Sequence, residues 1–417
     1  MTTVRSFVSL VALLVAFRTC FFSWKRVNPA NQQVAQANNF AYPIQETAVS
    51  DQFSKDAVEN PNGGFKQLNA LGETTKDIER KVGAPKPANN ATLTGHSGLV
   101  TEVAFSPDGK TLASASVDNT IKLWNLETHK EIATLTGYSI ALSPDGTTLA
   151  GASGDKTIKL WNLETQKEIA TLTGHSGVVT SVAFSPDGKT LAAASDDKTI
   201  KLWNLQTKTL SATLTGHSDR INSIAFSPDS KTLASGSDDK TIKLWNPQSH
   251  TLSATLTGHS KSVDSVAFSP DGKTLASGGS GNTLKLWNLQ SQTLSATQTE
   301  HGCGSVSSLA FSPDGKTLAA AGNTTILLWN LQSPTLSATL TEHSGVISIA
   351  FSPDGKTLAS GDYNSIIKLW NLQTQPLSAT TLTRYSHQEV VRVVLSPDGK
   401  TLASGGDYTI KYMDIIN

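Results

Sequence analysis

The reading of this chain turns on Ala170 to Leu205, ATLTGHSGVVTSVAFSPDGKTLAAASDDKTIKLWNL. The stretch returns almost letter for letter at Ala212–Pro247 and Ala254–Leu289, and looser copies start at Ala91, Thr134, Ala296, Ala338 and Thr381. Its tryptophan recurs at Trp124, Trp161, Trp203, Trp245, Trp287, Trp329 and Trp370, at spacings of 37, 42, 42, 42, 42 and 41 residues. Met413 takes that place in the eighth copy. A Ser-Pro-Asp turn begins at Ser106, Ser143, Ser185, Ser227, Ser269, Ser312, Ser352 and Ser396, which gives the same count of eight. A period of this length governs everything local, because each unit is one block that buries its faces only against its neighbours.

In the copy from Ala170, Val179, Val182 and Phe184 stand in a β-rich run ending at Ser185-Pro186-Asp187-Gly188. Proline presets φ at the first turn position and glycine accepts positive φ at the last, so a tight hairpin follows. Thr190–Ala194, Thr199–Leu205 and Thr209–Leu214 then read as strands b, c and d after strand a. β-Branched residues abound and no helical period appears. Ile200 and Leu202 take one face of strand c and Trp203 the other, so both faces of the unit need covering.

A unit of 42 residues with Gly-His near its start and Trp-Asn near its end resembles the WD40 repeat, over residues from about 91 to 417. The resemblance implies an all-β, eight-bladed β-propeller spanning 89–417, with four strands to a blade around a channel. The tandem units are nearly identical, which points to recent internal duplication in a style that looks prokaryotic. Each copy begins with strand d of one blade and continues with strands a to c of the next. The first copy therefore supplies an orphan strand, about Asn90–Leu93, and the last ends just after its strand c, Thr409–Met413. The N-terminal strand is expected to complete the last blade, which leaves no open ring edge.

Histidine recurs at one repeat position: His96, His175, His217, His259, His301 and His343. Similarity to the WD40 family implies that this His, a strand-b hydroxyl, the b–c turn acid and the strand-c Trp form a structural tetrad. Two copies carry all four, His96, Ser114, Asp118 and Trp124, and His217, Ser235, Asp239 and Trp245. Copy three has Ala193 beside His175, Asp197 and Trp203, and copy five has Gly281 beside His259, Ser277 and Trp287. Copy six has Ala320 and Asn323 beside His301 and Trp329, and copy seven has Asn364 beside His343, Ser360 and Trp370. Buried imidazole and indole N–H groups need partners whatever the family. A nucleophile needs one singular arrangement, and these groups repeat, so no catalytic residue, cofactor or metal site is assigned. Copy two lacks five residues before Ser143 and has Tyr138 after its Gly, and Ser230 replaces the turn glycine of copy four. A repeated strand-c lysine, Lys201 for example, reads either as an anion girdle or as a solvated ammonium on a packed stem.

Net charge is zero and 16% of residues are charged, so a nucleic-acid surface is disfavoured. Two cysteines make neither a disulfide framework nor a zinc spacing. Before the repeats, 1–26 carries an apolar run from Phe7 to Phe17 that resumes through Trp24. Its 7–24 span matches an uncleaved anchor or an export signal, and a misassigned start codon is a further reading. Residues 27–88 read as a mostly disordered linker.

Many WD40 propellers bind peptides on the face bearing the d–a and b–c loops. The corresponding positions include Asp196, Arg220, Asn222, Asp238 and Asp264, a polar and mildly acidic sector, with Tyr363 as an aromatic anchor. The same residues also read as ordinary solvated loop positions. The expected function is a non-enzymatic, monomeric scaffold for protein–protein interaction, membrane-associated or exported if 1–26 acts as read, and otherwise cytoplasmic. An envelope assembly factor and a channel-site enzyme or small-molecule sensor are the competing classes.

Overall fold

The repeat folds, in the computed structural model, into eight four-stranded antiparallel sheets. The structure describes residues 91–415 except 282, 299–305, 323, 334, 342–344, 365, 375–376, 385–389 and 407, and omits the side chains of 298, 383 and 384. The expectations for 1–26, for 27–88 and for His301, Asn323 and His343 lie outside the described residues. Blades are numbered in chain order by their strands a, which begin at Val100, Ser139, Val179, Ile221, Ser265, Ser308, Val346 and Val390.

Blade 3 shows the rule, with strands Val179–Phe184, Thr190–Ser195, Ile200–Asn204 and Thr209–Leu214. Ile200 and Leu202 pack into blade 4 with Ile221, Leu233 and Trp245. Trp203 turns the other way, onto Ile158 and Leu160 of blade 2. Each core is thus made between blades, which is why no unit stands alone.

Closure follows the expected scheme. Ala91–Thr94 pairs antiparallel with Thr409–Asp414, Ala91 opposite Tyr412 and Thr94 opposite Thr409, and completes blade 8. Leu93 and Tyr412 join a core with Val100 and Trp124 of blade 1, so the seam is packed like the other boundaries.

Blade 2 keeps four strands, Ser139–Leu142, Thr148–Ala152, Ile158–Asn162 and Glu168–Leu172. The structure corrects the place of Tyr138. Ser139 pairs with Ala152 as Glu102 pairs with Ala115 in blade 1, so Tyr138 occupies the position of Thr101, not that of His96. The deletion removes the d–a loop and its histidine and leaves the sheet register intact.

The strand-c lysines are also corrected. Lys122, Lys201, Lys243 and Lys285 are buried. Their ammonium groups donate to Thr134, Thr213, Thr255 and Thr297 of strand d at 2.8–3.0 Å. Each threonine hydroxyl takes one ammonium donor, and Lys122 also pairs with Glu131 at 2.9 Å, so these lysines are held within their own blades rather than extended into solvent.

Candidate functional site

The tetrads come first because they fix the loops above them. In blade 1 the Trp124 indole N–H donates to Ser114 Oγ at 2.8 Å, and Ser114 Oγ lies 2.8 Å from His96 Nε2. His96 Nδ1 lies 3.1 Å from Asp118. Blade 4 repeats the chain, with Trp245 to Ser235 at 2.9 Å, Ser235 to His217 at 2.7 Å and His217 to Asp239 at 2.7 Å. One assignment satisfies every link: the hydroxyl donates to Nε2 and Nδ1–H donates to the carboxylate, so the imidazole is neutral. Burial drives each His below its ordinary value, against the pull of its Asp. Burial alone would raise Asp118, but bonds from Thr120, the Ser97 amide and His96 outweigh it and hold it at about 2.

The incomplete copies show what each group contributes. With Ala193 in place of the hydroxyl, His175 Nε2 faces the Ala193 carbonyl at 3.2 Å. With Ala320 there, the buried Trp329 indole N–H has no acceptor among the described residues. With Gly281 at the acid position, His259 Nδ1 turns to the Thr283 hydroxyl at 3.2 Å. Trp370 still donates to Ser360 at 2.8 Å in blade 7.

Above these supports, five of the loop residues singled out in the sequence meet in one network across blades 3, 4 and 5. Arg220 Nε lies 2.9 Å from Asp196 Oδ1, an ion pair whose angle is poor for a hydrogen bond. The Asn222 amide donates to Asp238 at 2.7 Å, to the Val263 carbonyl at 3.2 Å and to Asp264 at 3.4 Å. Ser280 donates to Asp264 at 2.9 Å. One carboxylate thus pairs with the guanidinium, and two more converge on the Asn222 amide. Burial raises Asp196, Arg220 opposes the rise, and Asp238 and Asp197 add to it. Burial also raises Asp264, with Asp238 contributing. Tyr363 is not part of this network. It stands two blades further round, 40% exposed, its amide donating to the Gly345 carbonyl at 2.9 Å.

Two residues that the sequence reading did not place among the binding candidates extend the sector. Tyr138 donates its hydroxyl to the Val179 carbonyl of blade 3 at 2.7 Å. Thr180 makes the equivalent bond to Ile221 at 2.5 Å and Ser307 to Val346 at 2.7 Å. Glu102 stands where the other strands a carry Ser181, Ser223 and Ser348, and accepts from the Ile140 amide at 2.6 Å and from Ser139 at 3.2 Å. Burial raises its carboxyl, against bonds from blade 2 and the charge of Arg392. A departure from the repeat at position 102 was the available signal.

Among the described residues, no three His, Cys, Asp or Glu side chains are grouped to hold a metal ion. A closed ring of repeated blades, pinned by His–Ser–Trp and His–Asp contacts, defines a propeller scaffold. The comparisons agree. The family described as IFT122 first beta-propeller matches residues 178–305 and 237–415, and the WD domain, G-beta repeat, matches 88–125 and 127–162. The chain belongs to the WD40-repeat β-propeller family. It is 38% identical over 84 residues to ribosome assembly protein 4 of Saccharomyces cerevisiae, covering 20% of this chain and 16% of that one. It is 50% identical over 46 residues to the Notchless protein homolog of Arabidopsis thaliana, 11% of this chain and 10% of that one. It is 48% identical over 54 residues to nuclear distribution protein nudF of Emericella nidulans, 13% and 12%. Each match spans less than a fifth of the relative's length.

Proposed function

We propose that this propeller is a non-enzymatic docking platform whose loop face, at blades 3 to 5, receives a basic or polar segment of a partner protein. The observation that carries the reading is the Asp196–Arg220 and Asn222–Asp238–Asp264 network. It places an excess of carboxylate on rigid supports, and burial raises two of those carboxyls, Asp196 and Asp264, so an arriving cation is favoured beside them. The family is typically non-enzymatic, and the tetrad groups are consumed by scaffold bonds. The chain enters the ring at Ala91, beside Tyr412 where strand c of blade 8 ends, so this entry lies on the face opposite the sector.

The test is fluorescence anisotropy of the full-length protein with a labelled lysine-rich peptide and with its glutamate counterpart. The lysine peptide should bind, and Asp196→Lys with Asp238→Lys should abolish binding; equal affinity in the double variant rejects the sector. The location rests on residues 7–24 alone. Fractionation of the tagged chain is expected to place it in the membrane or the extracytoplasmic fraction, and a wholly cytosolic protein overturns that.

A further inference from the structure

On the face opposite the loops, the eight Ser-Pro-Asp turns form an inner ring. At six boundaries a Cβ placed on the turn glycine would stand 2.8–3.8 Å from the proline Cδ of the preceding blade: Gly146 on Pro107, Gly272 on Pro228, Gly315 on Pro270, Gly355 on Pro313, Gly399 on Pro353 and Gly109 on Pro397. At the boundary of blades 3 and 4, Ser230 replaces the glycine and its hydroxyl accepts the Asp187 amide at 3.0 Å. The boundary of blades 2 and 3 alone breaks the series. Gly188 meets nothing within 4 Å. It is the one turn residue at this position that is exposed.

The cause lies in the short blade. Glu102 ties blade 2 to blade 1, and Gly146 is the tightest of the glycine–proline contacts. Tyr138 ties blade 2 to blade 3, but only at the loop face. The two blades therefore part at the opposite face, and a cavity of about 330 Å³ opens there. Leu160 and Ile169 of blade 2 and Phe184 and Leu205 of blade 3 supply its apolar lining, beside the polar Thr148, Asn204 and Gln206. Asp145, Lys189 and Lys208 stand at its walls. Asp145 is occupied by Ser143 at 2.6 Å and by the Thr147 amide at 3.0 Å. Lys189 reaches Asp187 only at 3.9 Å.

We propose that this cleft is a second docking site, which takes one aromatic side chain of an extended partner segment whose neighbouring residues are acidic. The volume admits a single large side chain, and the apolar lining rewards its burial. The two lysines select carboxylates beside it. The site is separate from the loop-face sector and prefers the opposite charge.

The test uses the full-length protein and a fluorescein-labelled peptide with one tryptophan flanked by aspartates. Binding is expected, with at least tenfold loss when alanine replaces the tryptophan or lysines replace the aspartates. Lys189→Glu with Lys208→Glu, and separately Ile169→Glu, should each weaken binding at least tenfold while the thermal melt stays in place. Lys231→Glu, beside the closed boundary of blades 3 and 4, and the Asp196→Lys, Asp238→Lys pair should leave it unchanged. No binding, equal binding of the alanine peptide, or variants at Lys189, Lys208 and Ile169 that bind like the parent would each overturn the proposal.

Discussion

The Tyr138 hydroxyl lies 2.7 Å from the carbonyl of Val179 in the next blade. It stands at the strand position from which Thr180 and Ser307 make the same bond in other blades. Tyr138→Phe keeps the ring and removes only this bond. A buried carbonyl without a partner costs about 1 kcal/mol or more. Urea denaturation should show that loss, and a variant as stable as the parent would show that the bond contributes nothing.

Ser230 adopts φ 61°, where the equivalent Gly188 and Gly272 have 69° and 68°. Side chains in this region cost about 1 kcal/mol. The bond from the Asp187 amide offsets that cost. Ser230→Gly should therefore be close to neutral, whereas Ser230→Ala keeps the strain and loses the bond. The alanine variant is expected to melt lowest of the three; glycine melting below alanine would refute the compensation.

Trp329 carries an indole N–H with no acceptor among the described residues, and Ala320 stands at the hydroxyl position. The same site holds Ser114 and Ser235 without strain in blades 1 and 4, where each accepts the equivalent indole. Ala320→Ser should stabilise by about 1 kcal/mol. Ser235→Ala, which takes the shared hydroxyl from Trp245 and His217, should destabilise by about 1–3 kcal/mol. Thermal melts with the opposite ordering would reject this account of the tetrad.

The tetrads also set a pH dependence. Burial lowers His96, His175, His217 and His259, the last to about 4 with help from Lys285. Lowered histidines are protonated first in the unfolded chain, so stability falls as pH drops from about 6.5 toward 4. For His259 that loss is on the order of 3 kcal/mol. Below pH 3.8 the held-down Asp118 and Asp239, both at about 2, extend the loss. Glu102 acts the other way, since burial raises its carboxyl and protonation relieves it. The melting temperature should fall between pH 7 and 5, and more steeply in Glu102→Gln. A flat or rising curve in both proteins contradicts the neutral-histidine tetrad.

The period of 42 residues, the Ser-Pro-Asp turns and the alternation of Ile200, Leu202 and Trp203 were enough to specify a closed all-β ring. These features are local, and the same demand for inter-blade burial repeats in each unit. The N-terminal closing strand was legible for the same reason. Five of the six candidate loop residues, proposed from their repeat positions, lie together across blades 3 to 5, a meeting the sequence did not show, and Tyr363 does not join them.

Contacts between blades at the places where the copies differ depend on three dimensions. A string of letters places Tyr138 next to a glycine and so beside the histidine column; only the sheet register moves it to the Thr101 position. The sequence shows lysines on strand c, but their burial depends on a threonine twelve residues on. The gap at Gly188 arises because a shortened blade is held on one side at both faces and on the other at one. No single repeat carries that imbalance. The sequence by itself determined the ring and its closure, since each blade repeats one local pattern of turns and apolar faces. The tertiary structure decided where the ring parts, because that depends on the fit of two unlike neighbours.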